Sequence, residues 1–150
     1  MEELLKIENL SVGINSAAGK VQAVRDVSFT LHPGEVLAIV GESGCGKSML
    51  CKTIMKLLPK SAKIEGGKII AGGVDITDYS DKDMRKLRGK LFSMIFQDPM
   101  TALNPTIPIG KQIAEAILIH EPKLPKEEVY NRVIELMELV GIKQPHERYK

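Results

Sequence analysis

The sequence contains no apolar run of 18 residues, no signal-like segment, no internal repeat and no low-complexity stretch. The first absence leaves no stretch here that would span a bilayer as a helix, and the second no stretch that reads as a secretory leader. Charge of one sign is also lacking. The 21 Lys and Arg residues against 19 Asp and Glu leave a net charge of +2, so nothing calls for nucleic acid or an anionic membrane as a partner. Cysteine is scarce too: Cys45 and Cys51 stand six apart and offer no disulfide framework, which predicts a soluble, reduced, cytosolic protein. Both thiols are expected as small buried filler. Cys45 has a functional alternative, because a thiol beside Lys47 at a helix N-terminus sits where a thiolate is favoured. At 150 residues the chain is long enough for one domain with a real core and too short for two.

What is present is organised around Gly41-Glu42-Ser43-Gly44-Cys45-Gly46-Lys47-Ser48, which fits the phosphate-cradling pattern G-x-x-x-x-G-K-[ST]. Gly41, Gly44 and Gly46 let successive backbone N–H groups close on a polyphosphate without side chains in the way. Lys47 would set a point charge against the β- and γ-phosphates, Ser48 would offer its hydroxyl to Mg²⁺, and the positive pole of the following helix adds to both. An accidental glycine-rich turn would match these four fixed positions in roughly one chain in a hundred at this length. The flanks favour the functional reading. Leu37-Ala38-Ile39-Val40 reads as a strand buried on both faces, and Met49, Leu50, Ile54, Leu57 and Leu58 recur at helical spacing until Pro59. The predicted ligand is a Mg-nucleoside triphosphate.

Taken in order, Leu4 to Leu10 alternates loosely, as an edge strand would, and Val27, Phe29 and Leu31 alternate cleanly in a second strand. Asn15 to Lys20 is the turn between them, and His32-Pro33-Gly34-Glu35 leads into the P-loop strand. Short strands are expected at Ile64 to Gly67 and again through Ile76, around Gly72-Gly73. Ser80-Asp81-Lys82-Asp83 opens a short charged helix that Gly89 stops, with its Asp and Lys residues on a solvated face. Leu91 to Phe96 reads as a second buried strand ending at Gln97-Asp98-Pro99, and a polar amide there lies where ligands bind in open α/β sheets. Pro108 would open a helix from Ile109 onward, with Ile113, Ala116, Ile117 and His120 on one side. A second helix is expected over Lys126 to Val140, burying Val129, Val133, Leu136, Met137 and Val140 until Gly141. His32, His120 and His146 read as ordinary surface or turn residues.

With the P-loop at 41–48 and Phe96-Gln97-Asp98-Pro99 about fifty residues later, the chain resembles the ATP-binding subunit of an ABC transporter. The wording Val40-Gly41-Glu42-Ser43-Gly44-Cys45-Gly46-Lys47-Ser48, with Phe96-Gln97-Asp98-Pro99-Met100-Thr101-Ala102-Leu103-Asn104-Pro105, is similar to the oligopeptide/dipeptide import branch, over essentially all of the chain. The resemblance implies an α/β fold: a P-loop NTPase core with an N-terminal antiparallel β-layer and the start of a helical subdomain, an incomplete nucleotide-binding domain. The core and β-layer would take about residues 1–106, and the helical part about 107–150. It implies that Gly41 to Met49 wrap ATP and that Ser48 and Gln97 contact Mg²⁺. The loop after Gln97 would meet a membrane-spanning permease subunit, a second ATPase subunit would complete a head-to-tail dimer, and the protein would sit on the cytoplasmic face of the membrane.

Two departures from the family pattern stand out. Near Val12 to Ile14, where an aromatic ring usually stacks on adenine, the side chains are aliphatic. After Gln97 there is no Ser-Gly-Gly-Gln-like signature, no apolar strand ending in Asp-Glu and no switch histidine. Ile117-Leu118-Ile119-His120-Glu121 mimics the apolar-then-acid pattern but continues a helical period. The expectation is therefore an N-terminal part of a longer subunit that binds nucleotide, hydrolyses it poorly and associates non-natively by itself, with its catalytic carboxylate beyond Lys150. A nickel or other small-solute importer ATPase, an ABC-type ATPase of DNA repair or chromosome organisation and a P-loop small-molecule kinase are the other readings. Against the DNA-repair class stands the lack of a long heptad run.

Overall fold

The computed structural model describes residues 3–17, 19–98 and 102–150. Ala18 of the first turn and Pro99 to Thr101 of the loop after Gln97 thus lie outside the described residues. The chain divides into two compact units, Met1–Phe92 and Ser93–Lys150.

In the first unit the two alternating segments pair as an antiparallel hairpin, β1 (Leu5–Ser16) and β2 (Gly19–Leu31). β3 (Ala62–Ala71) pairs with the other edge of β1, and Gly72-Gly73 turns the chain into the short β4 (Val74–Asp75), giving the order β2-β1-β3-β4. The first strand is therefore central and not an edge. Its backbone is hydrogen-bonded on both sides, and Ile7, Leu10 and Val12 are fully buried. They pack with Val24, Ile69, Ile76 and Met84 and with Leu50 and Ile54 of the helix α1 (Lys47–Ile54). Each such side chain taken from water contributes about 1.5–3 kcal/mol.

β1 carries one residue more than its neighbours at Asn9: Ile7 and Leu10 face Phe29 and Val27 on one side, and Glu8 and Ser11 face Lys68 and Gly66 on the other. Asn9 takes a left-handed φ of 47° to absorb the extra residue. Gly67 lies against this bulge so closely that a Cβ there would meet the Glu8 carbonyl oxygen at 2.4 Å and the Asn9 carbonyl oxygen at 2.5 Å.

α1 ends earlier than its apolar spacing predicts, and its last turn shows why. The Leu57 N–H donates to the Lys52 carbonyl at 2.7 Å and the Lys56 N–H to the Thr53 carbonyl at 3.0 Å, with Lys56 at φ 54°. That is a Schellman closure with lysine where glycine is usual. The carbonyls left over are taken by Arg88, at the C-cap of α2 (Asp81–Leu87). Its guanidinium donates to the Met55 oxygen at 3.1 and 3.0 Å and to the Lys56 oxygen at 3.1 Å, and it pairs with Asp81 at 2.8 Å. This pairing holds the Asp81 carboxyl below the usual carboxylate range. α2 begins as expected: the Ser80 hydroxyl donates to the Asp83 carboxylate and accepts from the Asp83 N–H. Its charged side chains are solvated, while Met84 is buried.

Neither predicted core strand forms. Leu37 to Val40 and Leu91 to Phe96 are irregular, apart from one bridge between Arg88 and Phe92. An apolar run becomes a buried strand only when strands pair on both sides of it. Among the described residues the one sheet is antiparallel, and neither run joins it. Val40 and Ile95 accordingly stand 88% and 98% exposed.

The second unit is helical, with α3 (Ile109–His120), α4 (Lys126–Leu139) and α5 (Pro145–Arg148). Ala114, Val129, Val133 and Met137 form its core, with Ile113, Ile117, Leu124, Ile142 and Tyr149 packed around them. The helical faces are rotated slightly from expectation. Gly110 and Ala114 are buried where Ala116 is exposed, and Ile134 is buried where Leu136 and Val140 are exposed. The Tyr149 ring lies where a Cβ of Gly110 would be, 2.3 Å away at its nearest, and so shifts the contact to that side of α3. Among the described residues no helix is long and apolar enough to cross a membrane.

Gly67→Ala is expected to cost about 2 kcal/mol in urea unfolding, because strained φ and backbone overlap combine. Gly66→Ala, which meets nothing within 4 Å, should stay within about 0.5 kcal/mol; equal losses at the two positions would refute the bulge contact. Arg88→Ala should cost about 2 kcal/mol at neutral pH, since charge-assisted hydrogen bonds to the end of α1 are lost. Asp81 is lowered in the fold, so its contribution is present above the ordinary carboxylate pKa and fades as pH falls through the lowered value. Unfolding midpoints across acid pH should show that fade in the unaltered chain, and a much shallower one in Arg88→Ala.

Candidate functional site

The first unit brings Gly41 to Met49 together as one loop and helix start. Gly44 (φ 82°) and Gly46 (φ 99°) take left-handed backbone conformations, and Gly46 is the N-cap of α1. Gly46 rests on β2: a Cβ would lie 2.1 Å from the Ala23 carbonyl oxygen. Glycine is therefore required there for fit as well as for φ. No acidic side chain sits in the first turn of α1, so the positive helix pole is not neutralised locally.

Lys47 folds back over the loop. Its Nζ donates to the Gly41 carbonyl at 2.7 Å and the Glu42 carbonyl at 2.6 Å, and lies 3.5 Å from Cys45 Sγ. These are neutral acceptors, which an anionic phosphate oxygen would displace readily. Ser48 is exposed, and its hydroxyl makes no hydrogen bond among the described residues, which leaves its oxygen free for a hard cation. Met49 is partly buried against the core, so its backbone and not its side chain belongs to the loop. Glycine conformations, an ammonium bound only to neutral carbonyls and an uncommitted hydroxyl all fit a magnesium polyphosphate.

A cleft of about 580 Å³ opens beside the loop, lined by Gly44 to Lys47 and Leu50, by Ile39 and Val40, and by Ile14, Val21 and the β2 residues Gln22 to Arg25. Its walls away from the loop are mainly aliphatic, with Phe29 the one aromatic ring. Sequence reasoning pointed to the aliphatic stretch near Ile14 but missed Gln22 and Arg25, which sit in no motif. Cys45 corrects the filler expectation: it is exposed at the loop, while Cys51 is half-buried.

Gln97 lies in the other unit, exposed. The loop that follows is pinned from 104 onward by Gln112 of α3. The Gln112 amide donates to the Asn104 and Ile107 carbonyls at 2.9 and 2.7 Å and accepts from the Asn104 N–H at 2.8 Å. Asn104 in turn accepts from the Thr106 N–H and hydroxyl. Leu103 and Ile107 are held exposed on that loop. Among the described residues no three His, Cys, Asp or Glu side chains gather as a metal site.

Residues 24–150 match the family described as ABC transporter. Over its whole length the chain is 52% identical to a dipeptide transport ATP-binding protein, DppD, of Bacillus subtilis, and covers 45% of that protein. It is 49% identical to the oligopeptide transport ATP-binding protein OppD of the same species, over 97% of this chain and 40% of that one. With DppD of Lactococcus lactis the identity is 48% over 94% of this chain and 40% of the relative. The chain thus spans less than half the length of these curated relatives. Among solved structures it is similar to a dimeric ATP-binding cassette, MJ0796, in a post-hydrolysis state bound to ADP and Pi. That match has a TM-score of 0.80 at 20% identity, covering 97% of this chain and 61% of the other. At that identity the likeness shows a shared fold.

Proposed function

This chain belongs to the ABC transporter family, and on that premise we propose that it forms the nucleotide-binding part of an ATPase that drives uptake of di- or oligopeptides. The observation that carries the reading is the loop 41–48, in which Gly44, Gly46, Lys47 and Ser48 supply backbone donors, a cation and a free hydroxyl at the N-terminus of α1. The peptide cargo rests on the names of the relatives, which are dipeptide and oligopeptide transport proteins at about half identity.

In this mechanism the backbone of Gly41 to Met49 wraps the phosphates, and Lys47 exchanges its carbonyl partners for β- and γ-phosphate oxygens. Ser48 would hold Mg²⁺ through its hydroxyl, and Gln97 would offer its side-chain oxygen as a further ligand. Magnesium, when bound, neutralises charge on the β- and γ-oxygens. The loop after Gln97, pinned by Gln112 and presenting Leu103 and Ile107, is proposed as the contact with a membrane-spanning permease, and a second ATPase subunit as the partner across the site. The protein would work on the cytoplasmic face of the membrane without spanning it.

Titration of the chain with Mg-ATP tests this reading. Lys47→Ala is expected to weaken binding at least about tenfold, the loss of a charge-assisted contact to phosphate, with circular dichroism unchanged. Binding that survives the substitution would contradict the assignment of the loop.

A further inference from the structure

In a regular strand alternate residues share a face, yet Gln22, Ala23, Val24 and Arg25 all line the cleft beside the P-loop. The cause is a disturbed register in β2. Leu10 and Val12 of β1 face Val27 and Val24, so β2 holds an extra residue between them, and a further shift separates Val24 from Gln22. A bulge re-aims the side chains next to it. This one is fastened from β1: Asp26, at φ 47°, donates its N–H to Ser11 Oγ at 3.0 Å, and its carboxylate accepts from Asn9 Nδ2 at 2.8 Å. Asn9 also donates its own N–H to Ser28 Oγ at 2.8 Å. Two non-glycine residues in left-handed conformations, cross-tied by side chains, keep Arg25 at the rim of the cleft.

Asp26, the acid next to Arg25, is committed to Asn9, and the Arg25 guanidinium itself makes no hydrogen bond or ion pair among the described residues. A guanidinium beside a phosphate-binding loop is suited to an anionic oxygen, which it can hold through two parallel N–H donors. We propose that Arg25 is a second cation of the nucleotide site, set by the β2 bulge to bind the polyphosphate together with Lys47. This inference rests on the nucleotide-binding reading of the loop. It assigns Arg25 to phosphate and not to the base, so the contact is indifferent to whether the base is adenine or guanine.

The test compares Mg-ATP and Mg-GTP affinities of the unaltered chain, Arg25→Gln, Arg25→Lys and Lys47→Ala. Arg25→Gln is expected to weaken both nucleotides by about tenfold, with Arg25→Lys in between, because the charge is kept but the fork is lost. Arg25 is exposed, so the unfolding midpoint should not move. Lys47-dependent binding that Arg25→Gln leaves intact would overturn the role of Arg25 and leave the loop assignment standing. A loss confined to one of the two nucleotides would overturn it in favour of base recognition. Failure of the unaltered chain to bind either nucleotide would overturn both.

Discussion

In the first unit Gly46 rests so close to β2 that a Cβ there would overlap the Ala23 carbonyl, an approach that only a residue without a side chain can make. It ties the end of the phosphate loop and the N-terminus of α1 to β2. β2 is in turn fixed by its pairing with the central β1, and β1 by β3, so the antiparallel sheet is the base on which the loop is built. The other end of α1 is tied down as well, by Arg88 on the carbonyls of Met55 and Lys56. An eight-residue helix is too short to be stable alone. It persists here because both ends are held and Leu50, Thr53 and Ile54 are buried.

The parts of the fold legible in the sequence were those written in local chemistry. The P-loop pattern, the hairpin, the Ser80 cap, the Gly72-Gly73 turn and the existence of α3 and α4 all follow from residues within a few positions of one another. The parts that failed depend on distant partners. Leu37 to Val40 and Leu91 to Phe96 have the composition of buried strands, but no strand pairs with them among the described residues. β1 has the loose alternation of an edge strand because the Asn9 bulge breaks its period, not because one side is open. Arg88 could not be read at all, since its partners lie 33 and 32 positions away.

Much the same holds for the site. The loop itself was legible, with Gly46 capping α1 and Lys47 turned back over it, because glycine, lysine and serine at that spacing have few other uses. Gln22 and Arg25 were not, because a bulge decides that four consecutive residues of β2 share the cleft. In the proposed complex the mostly aliphatic walls of the cleft would hold the base chiefly by apolar contact, and Lys47 with the loop's backbone N–H groups would hold the phosphates.

The central claim is that the P-loop and β2 act as one nucleotide site. Backbone amide chemical shifts of the isotope-labelled chain, recorded with and without Mg-ATP, test it most directly. Shifts concentrated at Gly41 to Met49 and at Gln22 to Arg25, with the amides of α3 and α4 unmoved, are the predicted result. Shifts in the loop that leave β2 untouched, or the largest shifts in the helical unit, would contradict it.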